Sequence, residues 1–180
     1  ALYMTKRYED AADMLEQGLV YALNAEQKNQ FQAQLGDVYY KMEDYPRMDA
    51  AYDAVLKTDA NNQHVLNNYS YYLSLRREKL DLAKQMCAKL MQIAPNNPNY
   101  MDTYGWVLYQ SGDYAEARKF LEKAASGSNS GAVVEHYGDV LYRLGEKESA
   151  LKQWKKAKEL GGSEDETLLD RKIKEGGLVE

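Results

Sequence analysis

Few residues in this chain are of types that do chemistry, and their spacing does not bring them together. The two histidines, His64 and His136, fall far apart on helical positions. Without cysteine support they make a poor zinc site. A single cysteine, Cys87, excludes an internal disulfide, a multi-cysteine zinc site and a cysteine-held cluster. It falls at a core position of its helix and reads as a buried packing thiol. There is no glycine-rich phosphate loop, no His-Glu-x-x-His and no nucleophile elbow. Gly127-Ser128-Asn129-Ser130-Gly131 has asparagine at its centre and reads as a turn. The glycosylation triplet Asn68-Tyr69-Ser70 lies inside a helical segment and reads as a chance match. Lys152, Lys155, Lys156 and Lys158 spread around the polar face of a helix whose inner face carries Trp154. The expectation is a protein without catalytic residues, cofactor or metal, whose chemistry is that of a surface.

Composition sets the frame for such a surface. The chain has 180 residues, 44% hydrophobic and 28% charged, which is enough to bury a core. Twelve glycines and three prolines are too few for a turn-rich all-β fold. A net charge of −5 argues against a nucleic-acid partner, which needs a basic footprint. No apolar run is long enough to span a membrane.

The elements that carry the surface repeat. A small residue recurs at Gly36, Ser70, Gly105 and Gly138, at intervals of 34, 35 and 33 residues. A second set, Met48, Ala83, Ala117 and Ala150, follows each by twelve or thirteen residues. Bulky or apolar residues come four positions later, at Tyr52, Cys87, Leu121 and Trp154. Apolar spacing of i, i+3, i+4, i+7 predicts two helices per unit. Breaks fall at Glu43–Tyr45, Arg77–Lys79, Ser111–Asp113 and Gly145–Lys147. The small residues on the two helices are expected to face each other and let the axes approach. One such hairpin cannot bury its own apolar face, whereas stacked neighbours can.

The period and the Gly105-Trp106-Val107-Leu108-Tyr109-Gln110-Ser111-Gly112-Asp113-Tyr114-Ala115-Glu116-Ala117 segment resemble the tetratricopeptide repeat. Met48, where the pattern has alanine, and Ser70, where it has glycine, are departures. The resemblance implies an all-α superhelical solenoid of antiparallel hairpins. Its units are a partial one at 1–28, full ones near 29–62, 63–97, 98–130 and 131–163, and a capping helix and tail at 164–180. In the partial unit, Tyr8–Leu15 reads as a second helix, with residues 1–5 the remnant of a first, so the chain is expected to be cut from a longer protein. The last units also resemble C-terminal repeats of large bacterial proteins of this class. That implies an envelope-facing or periplasmic location, with a cytoplasmic scaffold as the alternative.

In such proteins first helices line a concave groove that holds a protein partner. By register, the groove residues here are Gln30, Ala33, Asp37, Tyr40 and Lys41, then His64, Asn67, Tyr71, Ser74 and Leu75. Asn99, Asp102, Trp106, Tyr109 and Gln110 follow, and then Glu135, Asp139, Tyr142 and Arg143. Trp106 and Tyr109 are read as exposed contacts. Asn67 and Asn99 could pair with the backbone of an extended peptide. The carboxylates Asp37, Asp102, Glu135 and Asp139 favour a neutral or basic partner. The two-carboxylate clamp of chaperone-binding relatives is not matched: its places hold Ala33, Asp37, Asn68, Asn99 and Thr103, and only Asn68 fits. The expected function is a protein–protein interaction scaffold. The alternatives are a regulatory or anchoring module of a larger protein, or self-assembly into a homo-oligomer.

Overall fold

The computed structural model describes residues 2–163 and 165–179, with side-chain burial from residue 6 onward. All regular elements among these residues are α-helical. They are α1 (Leu2–Val20), α2 (Ala25–Lys41), α3 (Tyr45–Thr58), α4 (Gln63–Arg76) and α5 (Leu80–Ile93), then α6 (Pro98–Gln110), α7 (Tyr114–Ser126), α8 (Gly131–Arg143), α9 (Lys147–Leu160) and α10 (Glu166–Glu175). The expected all-α class is observed. Residues 2–5 differ from expectation: they continue α1 as one helix and are not the remnant of a preceding one. Ala1, and the capping-helix start placed at Glu164, lie outside the described residues, as does Glu180.

The helices begin and end where local chemistry allows. Asn24, Asp44 and Asp165 accept a hydrogen bond from the backbone N–H three residues on, and Asn97 does so for Asn99 and Tyr100. Pro98 opens α6 at a position whose N–H has no helical partner. Each hairpin turn closes in the same way. The N–H groups of Asp44, Glu78, Asp113 and Glu146 reach back to the carbonyls of Tyr39, Leu73, Leu108 and Leu141 at 2.9–3.0 Å. The residue before each donor is left-handed: Gly112 and Gly145 at φ 83° and 86°, but Glu43 and Arg77 at 60° and 55°.

The chain forms two compact units that divide between Tyr72 and Leu73, inside α4. In the first, α2 packs between α1 and α3. In the second, helices α5 to α10 pack in sequence, and α6 also touches α8, so two first helices lie side by side. Met48, Tyr52 and Val55 are fully buried in the first unit, and Ala117, Leu121, Ala150, Trp154 and Leu169 in the second.

The recurring glycines mark close helix approaches: a Cβ on Gly105 or Gly138 meets the backbone of the expected small residue, Ala117 or Ala150, at 3.3 Å, but bulkier side chains come nearer still. A Cβ on Gly36, Gly105 or Gly138 falls 2.4–2.6 Å from the nearest side-chain atom of Tyr52, Leu121 or Trp154. The bulky residue one turn beyond Met48, Ala117 and Ala150 fills the space each glycine leaves.

Candidate functional site

Asp37 centres the polar surface of the first unit. Its Oδ1 accepts from Tyr52 Oη at 2.5 Å and Asn68 Nδ2 at 2.9 Å, with Tyr72 Oη at 3.5 Å. Its Oδ2 lies 2.8 Å from His64 Nε2. Burial lifts the carboxyl's pKa, but hydrogen bonds from His64, Tyr52 and Asn68 outweigh it and hold it below the ordinary value. The same contact raises the His64 imidazole against its own partial burial. Tyr40 stacks on Tyr72 at 3.7 Å with 5° between the planes, and Tyr71 tilts against Tyr72 at 6.2 Å. Lys41 Nζ stands 5.5 Å from the centre of the Tyr40 ring. Asn67 donates to Asn68 at 3.2 Å, and its own Oδ1 is buried without a donor among the described residues. A pocket of about 560 Å³ opens in this unit, lined by Glu26, Asn29, Gln30, Ala33, Gln34, Asp59, Asn62 and His64. Of the expected groove residues here, Gln30, Ala33 and His64 line it. The others belong to the Asp37 network and the tyrosine stack.

The second unit uses its carboxylates differently. Lys172 of α10 places Nζ 2.7 Å from Glu135 Oε1 and 2.8 and 2.9 Å from the Asp139 oxygens. Asp139 Oδ1 also accepts from Trp154 Nε1 at 2.8 Å, and Glu135 Oε2 from Ser163 Oγ at 2.5 Å. Glu135, Asp139 and Lys172 are all buried, at 7%, 4% and 5% exposure. Burial alone depresses an ammonium, but Asp139 and Glu135 reverse it and raise the Lys172 pKa. Asp102 is likewise buried, with its Oδ1 2.9 Å from His136 Nδ1. All four acids expected to steer a basic partner therefore have partners within the fold, and three of them are buried.

The aromatic residues form a packed wall. The His136 ring stacks on Trp106 at 4.1 Å, and Trp106 stacks on Tyr109 at 4.7 Å with 7° between planes. Tyr109, expected as an exposed contact, is 8% exposed and also packs on Tyr114. Trp106 is half-buried, with its indole N–H lacking an acceptor among the described residues. Arg143 Nε donates to Tyr109 Oη at 3.2 Å and Arg77 Nε to Gln110 Oε1 at 3.1 Å. Trp106, Tyr109, Gln110, Glu135, His136, Asp139, Arg143 and Arg77 share the lining of a pocket of about 630 Å³. Its remaining wall is Ala132, Asp165, Leu168, Lys172, Leu178 and Val179. Asn99 is exposed outside this lining, and Tyr142 packs against Trp154 at 5.7 Å.

Comparison with known proteins agrees with this architecture. The sequence profile of the family described as anaphase-promoting complex, cyclosome, subunit 3 matches residues 76–157. A TPR repeat-containing protein of Pseudomonas aeruginosa is 28% identical over 99 residues, which is 55% of this chain and 17% of that protein. The solved structure of MamA from AMB-1 superposes with a TM-score of 0.68 at 27% identity, covering 86% of this chain and 90% of that one. These matches support a tetratricopeptide-repeat (TPR) protein. A thermophilic TPR protein of Thermus thermophilus shares the fold at 16% identity, with a TM-score of 0.73 over 97% of this chain and 93% of that one.

Within the TPR frame, the residues that sequence reasoning missed are those outside the first helices. Lys172 falls three positions after Leu169, on the buried stripe of α10, and that spacing is the signal that places it inward. Arg77 belongs to a turn and Leu178 and Val179 to the tail, so helix register gives no sign of them. No helix among the described residues is long and apolar enough to cross a membrane.

Proposed function

We propose that this TPR protein is an interaction scaffold that holds a segment of a partner protein against its first helices. The pockets carry this reading: about 560 Å³ in the first unit, lined mainly by polar side chains of first helices, and about 630 Å³ in the second, where Trp106 and Tyr109 add aromatic surface. Repeats near 29–62, 63–97, 98–130 and 131–163 are part of the same reading. The four matching hairpin turns support them. The first-unit pocket, with Glu26 and Asp59 and the amides of Asn29, Gln30, Gln34 and Asn62, suits a neutral or basic extended segment. No reaction is part of this function.

Site-specific photo-crosslinking tests it. A benzophenone amino acid replaces Gln30 or Ala132 in the pockets, or Lys119 on an exposed second-helix face. Partner adducts are expected at positions 30 and 132 and absent at 119. Adducts confined to position 119 would show that the binding face is elsewhere.

A further inference from the structure

We propose that the first-unit pocket recognises a lysine or arginine side chain carried on an extended segment of a partner protein. This rests on the scaffold reading above and adds the residue that the pocket selects. Charge decides the kind of side chain. Glu26 lines the pocket and is exposed, and its carboxylate has no ion pair or hydrogen bond among the described residues. Asp59, in the turn after α3, accepts from neutral donors, the Asn61 N–H at 3.2 Å and Asn62 Nδ2 at 3.0 Å, so its charge is not cancelled. Asp59 is half-buried, and no later helix seals either carboxylate as α10 seals Glu135 and Asp139. Among the described lining residues only His64 can become cationic, and Asp37 stands 2.8 Å from its Nε2 to match that charge. Two uncompensated carboxylates in one lining attract a cation and repel an acid.

Helix geometry favours an extended backbone. Glu26, Gln30 and Gln34 lie at i, i+4 and i+8 on α2 and line the same pocket. Successive members of this set are ~6 Å apart along the axis. Alternate residues of an extended peptide are ~6.6 Å apart, so the backbone groups of two such residues can meet the Gln30 and Gln34 amides. Both glutamines are exposed, with side chains unbonded among the described residues. The small, buried Ala33 leaves room beside them. Glu26, one turn before Gln30, sits where the side chain two residues further along the peptide would arrive. Backbone pairing holds the segment with little regard to its sequence, and the basic residue supplies the selection.

The test selects phage-displayed random octapeptides on the full chain, then measures synthetic copies of the selected peptides by fluorescence anisotropy. Lysine or arginine should be enriched at one position, and norleucine there should weaken binding about tenfold, the loss of one charge-assisted contact. Glu26→Gln should weaken the basic peptides by a similar factor with the melting temperature unchanged. Asp53→Asn makes the same change in net charge at an exposed site on α3 and should leave binding intact. Glu26→Lys should select aspartate or glutamate where the native chain selects a basic residue. No enrichment of basic residues overturns the proposal. So does equal weakening by Glu26→Gln and Asp53→Asn, which would reduce the preference to bulk charge. If crosslinks at position 30 still appear in either case, the scaffold reading survives alone. Dimers of the native chain that Glu26→Lys dissociates, seen by light scattering, would overturn it as well and give the pocket to a second copy.

Discussion

Asp37 and Asp139 stand at the same place in their repeats, yet one stays partly exposed and the other is sealed. Each follows the close-approach glycine of a first helix. Each accepts from the bulky residue fifteen positions on: Tyr52 for Asp37 and Trp154 for Asp139. The difference lies in the other contacts. Asp37 meets His64 and Asn68, its side chain remains 29% exposed, and its pKa is lowered. Asp139 meets Lys172 and is 4% exposed, and burial pushes its carboxyl up against the pull of Lys172, His136 and Trp154. The same repeat position is thus a tunable surface group in one unit and a structural anchor in the other, depending on what packs over it.

The largest test of that contrast removes the cation from each node. Lys172→Met leaves two buried carboxylates without a counter-charge, and its cost is expected to be about 3–5 kcal/mol. The triple variant Glu135→Gln, Asp139→Asn, Lys172→Met should recover most of the loss, since neutral amides need no counter-ion. His64→Ala, at a half-exposed pair, should cost less than about 1 kcal/mol. Chemical denaturation of the variants measures all three. Equal costs for Lys172→Met and His64→Ala would erase the distinction between the nodes.

The shared donor gives a finer comparison. Tyr52→Phe removes one hydroxyl from an Asp37 that keeps Asn68 and His64, at a cost of about 1–2 kcal/mol. Trp154→Phe removes a buried donor from Asp139 and also leaves unfilled space beside Gly138, so it should cost at least about 3 kcal/mol. A Tyr52→Phe cost matching that of Trp154→Phe would show that Asp37 depends on its hydroxyl donor more than its exposure implies.

Much of this was legible before the structure, and the rest was hidden for definite reasons. Helix positions, breaks and the 34-residue register follow from apolar spacing and turn residues, which act within a few positions of themselves. Side-chain register also put Asp37, Trp106 and Asp139 on first helices. What register cannot give is which side chain comes back over that face from a later helix. Lys172 reaches Asp139 across 33 residues, and it turns an apparent steering charge into a buried pair. Tyr109 is similar: its helical face was readable, but its burial against Trp106 and Tyr114 depends on rings that only packing brings together. All four carboxylates take non-local partners, and what register leaves open is how deeply each is covered: Asp37 keeps 29% of its side chain exposed, whereas Asp102, Glu135 and Asp139 are buried.

The smallest effect follows pH, and it separates the nodes without unfolding anything. His64 has a folded pKa above its unfolded value of about 6.5. Its contribution to stability is therefore complete below that value and is lost as pH rises through the folded pKa. Asp37, with a folded pKa below the ordinary 3.8, contributes above that value and loses its part as pH falls through the lower one. The pair is strongest in the window between, mildly acidic to near neutral. Asp37→Asn removes the carboxylate charge, so the His64 imidazole should titrate lower in the variant than in the native chain, as followed by the His64 ring proton in NMR. An unchanged His64 titration in Asp37→Asn would mean that the carboxylate does not govern the imidazole and that the first-unit node is held by its tyrosine and asparagine donors alone.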